Sequence, residues 1–345
     1  MIDSKSRSAT SVFMVLAVLA MAALAYSVSQ KYGNADSDHA LLAPELADAL
    51  NDIQSLRITG AGNTLIAELQ KIDTDANGSN WIVANAGGYP ANVGALRRVL
   101  LTLADARLIE QKTSNPDYYT RLGVADIDDP DATGLRIDIE GLPIPLSIIA
   151  GDNRINGDYS YVRHVNEAES WLINGILDPG RQMRDWLNRS IVELTADRIR
   201  KVTVTHPSGE TLVIGKASIE DPAFVLEDMP EGSMLSYEGV LNTITGIPAN
   251  LNLEEVVAED SSDLTETEPV VARFDTFDGL ILDITVYPGD EQTFLRVTAS
   301  TTDSAADAEA QAINAKTDGW LYQVADYKID PMLNHMDDLL KENPQ

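Results

Sequence analysis

The spacing of apolar residues changes along the chain, and each spacing predicts a different element. Val12–Val28 is an uninterrupted apolar run without a charge. As a helix rising about 1.5 Å per residue it would extend about 26 Å, at the short end of what crosses a bilayer. From Leu41 onward the apolar runs are short and patterned. Leu41–Leu46 begins the folded part, with Pro44 suited to the first turn of a short helix that reaches Asn51. Leu56–Thr59 alternates apolar with polar, Gly60–Asn63 turns, and Thr64–Ile72 resumes, which predicts a β-hairpin. Trp81–Val83 predicts a third strand, broken by Gly87-Gly88-Tyr89-Pro90. Over Asn92–Ala106 the period lengthens. Val93, Leu96, Leu100, Leu103 and Ala104 recur at three-and-four spacing, the stripe of an amphipathic helix.

Further hairpins are predicted from Arg136–Glu140 with Pro145–Ala150, and from Ser160–Val165 with Ser170–Ile173. Tyr118–Leu122 and Pro179–Trp186 are predicted as short helices. At Ile199 the order begins again. Arg200–Val204, a turn at Pro207-Ser208-Gly209 and Thr211–Ile214 match the first hairpin; Phe224-Val225-Leu226 stands where Trp81-Ile82-Val83 stood, and a helix over Tyr237–Ile247 stands where the first helix stood. Phe294-Leu295-Arg296 echoes Tyr161-Val162-Arg163, and Trp320-Leu321-Tyr322 echoes Trp171-Leu172-Ile173. Motifs recurring in one order at such long spacing predict two similar α+β modules built from antiparallel hairpins with packed helices. Their expected limits are 44–192 and 193–345. In the second, Glu254–Glu268 reads as a mobile acidic linker, Ala305–Ala315 as a helix, and Met332–Lys341 as a terminal amphipathic helix.

Charge gives the first run its orientation. Lys5 and Arg7 precede it and the remainder is strongly acidic, so the excess of positive charge on cytoplasmic flanks places the N-terminus inside and the modules outside. The expected layout is a cytoplasmic tail over 1–11, a transmembrane helix over 12–28, a linker over 29–43 and then the modules in the periplasm. A signal peptide cut at Ala23-Leu24-Ala25 is the alternative, and it exports the same domain. The absence of cysteine excludes a lipoprotein anchor and disulfides. A formal net charge of −29 repels phosphate backbones, so nucleic acid is excluded as a partner.

Candidate chemistry is sparse. Asp73, Asp75 and Asn77, followed by Gly78, follow the opening of a calcium loop, because side-chain oxygens at alternate positions can converge on a hard cation. The twelfth position is Ala84 where a bidentate Glu is needed, and the flanks read as strands, so a hairpin turn is the competing account. Asp126–Asp131 reads as a solvated acidic loop. His39, His164, His206 and His335 form no paired metal-binding spacing. No nucleophile elbow, phosphate loop or dinucleotide fingerprint is present in the sequence. Arg163 and Arg296, at matching places in the two modules, are candidate contacts for an anion or a partner, with strand-edge ion pairs as the alternative. The four tryptophans read as packing residues. No catalytic residue and no cofactor is assigned.

Taken together, the apolar leader, Trp81-Ile82-Val83 before Tyr89-Pro90-Ala91, Lys112-Thr113-Ser114-Asn115-Pro116 with Tyr119, Leu122-Gly123-Val124, Tyr161-Val162-Arg163, Trp171-Leu172 and Trp186-Leu187-Asn188-Arg189 resemble the bacterial domain-of-unknown-function 4340 family. The resemblance implies an envelope protein associated with gliding-motility-type ABC transporter components, and it carries over no catalytic residues. The expectation is therefore a single-pass inner-membrane protein whose periplasmic domain works by binding, as an accessory to an ABC-type complex. A periplasmic hydrolase or carbohydrate-binding protein acting on cell-envelope polymers is the alternative.

Overall fold

Alternation becomes sheet in both halves of the chain. The computed structural model describes residues 39–74, 78–261, 268–289 and 292–341. The apolar run 12–28, read as a membrane helix or a signal peptide, lies outside them; among the described residues no helix is long and apolar enough to cross a membrane. The elements are helix α1 (Pro44–Asp48), strands β1 (Ser55–Gly60), β2 (Thr64–Thr74), β3 (Gly78–Val83) and β4 (Tyr89–Pro90), helix α2 (Val93–Asp105), and strands β5 (Leu108–Gln111), β6 (Leu135–Glu140), β7 (Leu146–Asn153), β8 (Tyr159–His164) and β9 (Ser170–Asn174). There follow β10 (Ser190–Val192), β11 (Ile199–Thr205), β12 (Thr211–Gly215), β13 (Val225–Leu226), α3 (Val240–Thr245), β14 (Leu251–Ala258), β15 (Val270–Thr276), β16 (Leu280–Tyr287) and β17 (Phe294–Thr301). Helix α4 (Asp307–Thr317), β18 (Trp320–Val324), α5 (Asp326–Leu333) and α6 (Met336–Leu339) complete the chain.

These form a mixed α+β structure with two antiparallel nine-stranded sheets. Their orders are β4-β3-β2-β1-β6-β7-β8-β9-β5 and β10-β14-β18-β17-β16-β15-β11-β12-β13. Read from β3 to β5 and from β13 to β14, the two orders trace the same path through the chain. Each begins as a three-strand meander, crosses after a helix to the far edge, and returns beside its own first strand. They differ at the ends: β4 lies beyond β3 in the first sheet, and β10 beyond β14 in the second.

Register follows burial. Ile58 faces Ile137 and Ile137 faces Ile148, all buried; in the second sheet Val202 faces Phe274 and Phe274 faces Leu282, also buried. Each such side chain removed from water contributes about 1.5–3 kcal/mol. A one-residue slip would turn these rows outward, so the pairing is strongly specified. The predicted stripe of α2 is buried at Leu96, Leu100, Leu103 and Ala104, joined by Val99, while Val93 is exposed.

Two compact units result, one within Met1–Lys71 and Gly94–Arg181, the other within Ile72–Val93 and Gln182–Gln345. In the second, the buried Tyr89 ring sits edge-on to Trp320 at 5.1 Å and to Tyr322 at 6.1 Å, as packing aromatics do. Gly87, at φ +68°, brings the backbone to where a Cβ would already touch the Trp320 ring at 3.4 Å.

Several predicted helices shrink or break. Pro179–Trp186 contains only a 3-10 turn over Met183–Trp186, whereas the short helix expected over Tyr118–Leu122 is present within a 3-10 helix over Pro116–Leu122. The Tyr237–Ile247 helix is confined to α3, which starts after Gly239 at φ +87°. The expected terminal helix is two pieces. Pro331 lies in α5, Asn334 and His335 are extended, and α6 restarts with Asp338 capping the His335 N–H. The largest correction concerns Glu254–Glu268. Its first residues, Glu254–Ala258, are ordered strand, because Leu251 and Leu253 anchor β14 in the core and Glu255–Ala258 pair with Trp320–Gln323 of β18. Arg184 and Arg189 both grip the Glu254 carboxylate at 2.6 Å.

Candidate functional site

Arg163 departs from the alternation of its strand: β8 buries Val162 and then Arg163 as well. The guanidinium donates through Nε to the Val124 carbonyl at 2.9 Å and through Nη1 to the Glu167 carbonyl at 3.0 Å, and pairs through Nη2 with Asp126. It also lies 4.6 Å from the centroid of Tyr119, whose hydroxyl donates to the Ala168 carbonyl at 2.6 Å. Around it Tyr119, Val124 and Ile149 form a small buried cluster. The contacts therefore join the Pro116–Asp126 segment to the β8–β9 turn. Asp126, read from sequence as part of a solvated loop, supplies the carboxylate and remains 62% exposed.

Arg296, its match in sequence, has other surroundings. It pairs with Glu259 at 2.9 Å beside the Tyr287 ring, and its side chain is 39% exposed. The calcium-loop candidate Asp73, Asp75 and Asn77 lies outside the described side chains. Among the described residues no group of three or more His, Asp or Glu side chains is placed to hold a metal ion.

Two of the dispersed histidines nevertheless meet. His206 closes β11 at the turn to β12, with its N–H donating to the Glu210 carbonyl at 2.9 Å. The His206 and His335 rings stack at 4.4 Å. Glu210 binds His335 Nδ1 with one carboxylate oxygen and accepts the Met336 N–H at 2.8 Å with the other, so this turn holds the start of α6. The Glu210 hydrogen bond raises the His335 pKa, with Asp337 and Asp338 adding in the same sense. Burial lowers that of His206, and the adjacent His335 charge lowers it further. The Met336 N–H, then His335, hold the Glu210 carboxyl below its ordinary range.

The signs define a window. The His335 contribution is full below its ordinary value of 6.5 and is lost as pH rises through its folded-state value. Those of neutral His206 and ionised Glu210 are present above 6.5 and 4.5 and are lost as pH falls through their lower folded-state values. In imidazole ¹⁵N titrations His335 is expected to take its proton at higher pH than His206, and Glu210→Gln should move His335 down toward 6.5. Equal titration of the two rings would contradict the stack and carboxylate geometry.

A groove opens at the opposite end of the same hairpin. Lys201 pairs in register with Gly215, and Gly215 with Val225, so a row running across β11, β12 and β13 has no side chain at its centre. The resulting groove, of about 790 Å³, has a size that accommodates organic ligands or part of a peptide. Arg200, Lys201 and Lys216 line it with Asp221 and Glu227. Three cations against two carboxylates is a local reversal in a chain with 25 basic and 54 acidic residues. Lys216 donates to the Asp197 carbonyl at 3.3 Å and sits 5.0 Å from the Phe224 ring, while Lys201 stands 3.8 Å from Asp275. Among the described residues the Arg200 guanidinium has neither an ion pair nor a hydrogen bond. Sequence reasoning missed this site; its only linear signal is the Arg200-Lys201 pair and a Gly-Lys step at the end of β12.

A family model described as a domain of unknown function (DUF4340) matches residues 81–275, a span that includes the Arg163 cluster and the residues lining the groove. No curated protein and no solved structure matches the chain.

Proposed function

The chain belongs to the DUF4340 family, a domain of unknown function, and from that premise we propose that it is a membrane-anchored periplasmic binding or scaffold protein, an accessory subunit of an ABC-type, gliding-motility-like envelope transport complex. The observation that carries the location is the uncharged stretch Val12–Val28 between Lys5, Arg7 and an acidic remainder. The body would comprise two copies of one α+β module over 44–192 and 193–345, a reading supported by the shared strand path. A binding role is supported by how two clusters of charged groups are used. Glu210 with His335, and Arg198 with Glu309 and Asp278, are committed to one another. The groove, by contrast, holds the Arg200 guanidinium, which has no ion pair or hydrogen bond among the described residues, near exposed Val225. A partner would supply the ATPase.

Crosslinking in native membranes, followed by identification of the adducts, tests this directly. ABC-type membrane components are the expected products, with a C-terminal reporter active in the periplasm. Recovery of the protein alone, a cytosolic C-terminus, or turnover of nucleotide or a cell-wall polymer by the purified protein would overturn the proposal.

A further inference from the structure

Among the described residues the second sheet ends on an unfinished edge. β13 is two residues long and stands last in its order, whereas β3, at the corresponding place in the first sheet, is followed by β4 through Ile82↔Pro90 and Val83↔Tyr89. Edge strands carry unpaired N–H and C=O groups that accept a further strand. The Glu227 N–H donates inward to the Val213 carbonyl, so antiparallel alternation turns the backbone groups of Leu226 to the outer side. Val225 is 65% exposed, giving the edge apolar footing. Beside it the groove opens over Gly215, with Arg200, Lys201 and Lys216 around it.

We infer that this edge and groove receive an extended, acidic peptide segment of a partner protein, which adds a strand outside β13 and lays its carboxylates against Arg200, Lys201 and Lys216. The inference rests on the partner-binding reading above and gives that partner its chemistry. Backbone pairing alone favours no sequence; the cations select acidic residues, and a strand shows every second side chain to one face, where they can reach the groove. A free small anion could use the cations but not the edge.

The test uses the full-length protein in detergent and a fluorescein-labelled heptapeptide of alternating glutamate and valine, read by anisotropy. It is expected to bind at least about tenfold more tightly than an alternating lysine and valine peptide, and to weaken with added salt. Methylating alternate amide nitrogens should cost about tenfold by blocking strand addition. Gly215→Val should cost a similar factor by filling the groove, while the protein stays folded. A Cβ there meets only ordinary contacts of 3.4–3.9 Å, and the position needs no positive φ. Arg200→Glu combined with Lys201→Glu should erase the preference for the acidic peptide.

Four results would overturn the inference. They are equal binding of both peptides, competition by free glutamate at the same concentration as the peptide, indifference to Gly215→Val, and a protein dimer that Gly215→Val dissolves. If the peptide fails while membrane crosslinking still recovers transporter components, this edge is excluded and the accessory role stands. If the peptide binds but no transporter is recovered, the accessory role falls alone.

Discussion

Arg163→Ala is expected to lower folding stability by about 2–4 kcal/mol. The Val124 and Glu167 carbonyls would lose their donors; Glu167 is exposed and water can replace its donor, whereas Val124 is fully buried, so its unsatisfied acceptor dominates the cost at about 1–3 kcal/mol. Loss of the Asp126 pair adds little, because that carboxylate is 62% exposed. The Tyr119 face loses its cation as well. Arg163→Lys should recover at most about half, since one ammonium cannot reproduce the planar fork that reaches two carbonyls and a carboxylate. Denaturant unfolding measures the loss, and faster hydrogen exchange at Val124, whose N–H donates to the Tyr119 carbonyl, localises it. A loss below about 1 kcal/mol would show that the Pro116–Asp126 segment is held by other contacts.

Arg163 also shows where sequence stops informing. Its place on a hairpin strand is readable from alternation, and its match to Arg296 from the repeated Val-Arg and Leu-Arg steps. Burial is not, because it depends on a distant loop folding over β8. One arginine ends 3% exposed and the other 39% exposed. Strands with regular alternation, such as β6 and β12, follow directly from pattern, since one face must be apolar for the sheet to pack. The hairpin β15–β16 has the same regular alternation, yet it is not among the expected elements.

β14 fails for the opposite reason. Local composition at Glu254-Glu255 suggests a solvated linker, yet pairing with β18 makes it strand, a case of tertiary context overriding propensity. The terminal helix breaks although its helical spacing runs on: Met332 and Leu339 are both buried, on separate helices. The groove is illegible in one dimension for a related reason. Its cations come from β11 and the end of β12, and its defining feature is a missing side chain at Gly215.

Gly151→Ala should be more damaging than the loss of any single hydrogen bond. A Cβ on Gly151 would lie 2.3 Å from the Leu122 carbonyl oxygen and 2.7 Å from Val124 Cγ1, and one on Gly134 would lie 2.1 Å from the Gly123 carbonyl oxygen. Gly123 itself takes φ +68° and approaches the Asp152 backbone, where its own Cβ would meet the nitrogen at 2.9 Å. Three glycines thus let the end of the Pro116–Leu122 turn press backbone to backbone against β7 and the entry to β6. This gives the Leu122-Gly123-Val124 motif a physical reason, since the close approach sets the Val124 carbonyl on Arg163. Backbone atoms cannot yield as a flexible side chain can, so Gly151→Ala is expected to cost more than about 4 kcal/mol or to abolish soluble expression. Gly209→Ala supplies the contrast. It takes a positive φ, +87°, which Gly151 does not, but has no atom within 4 Å of the new Cβ, so only the conformational cost of about 1–2 kcal/mol applies. Denaturant midpoints for the two variants separate crowding from backbone preference, and equal losses would remove the steric explanation of the motif.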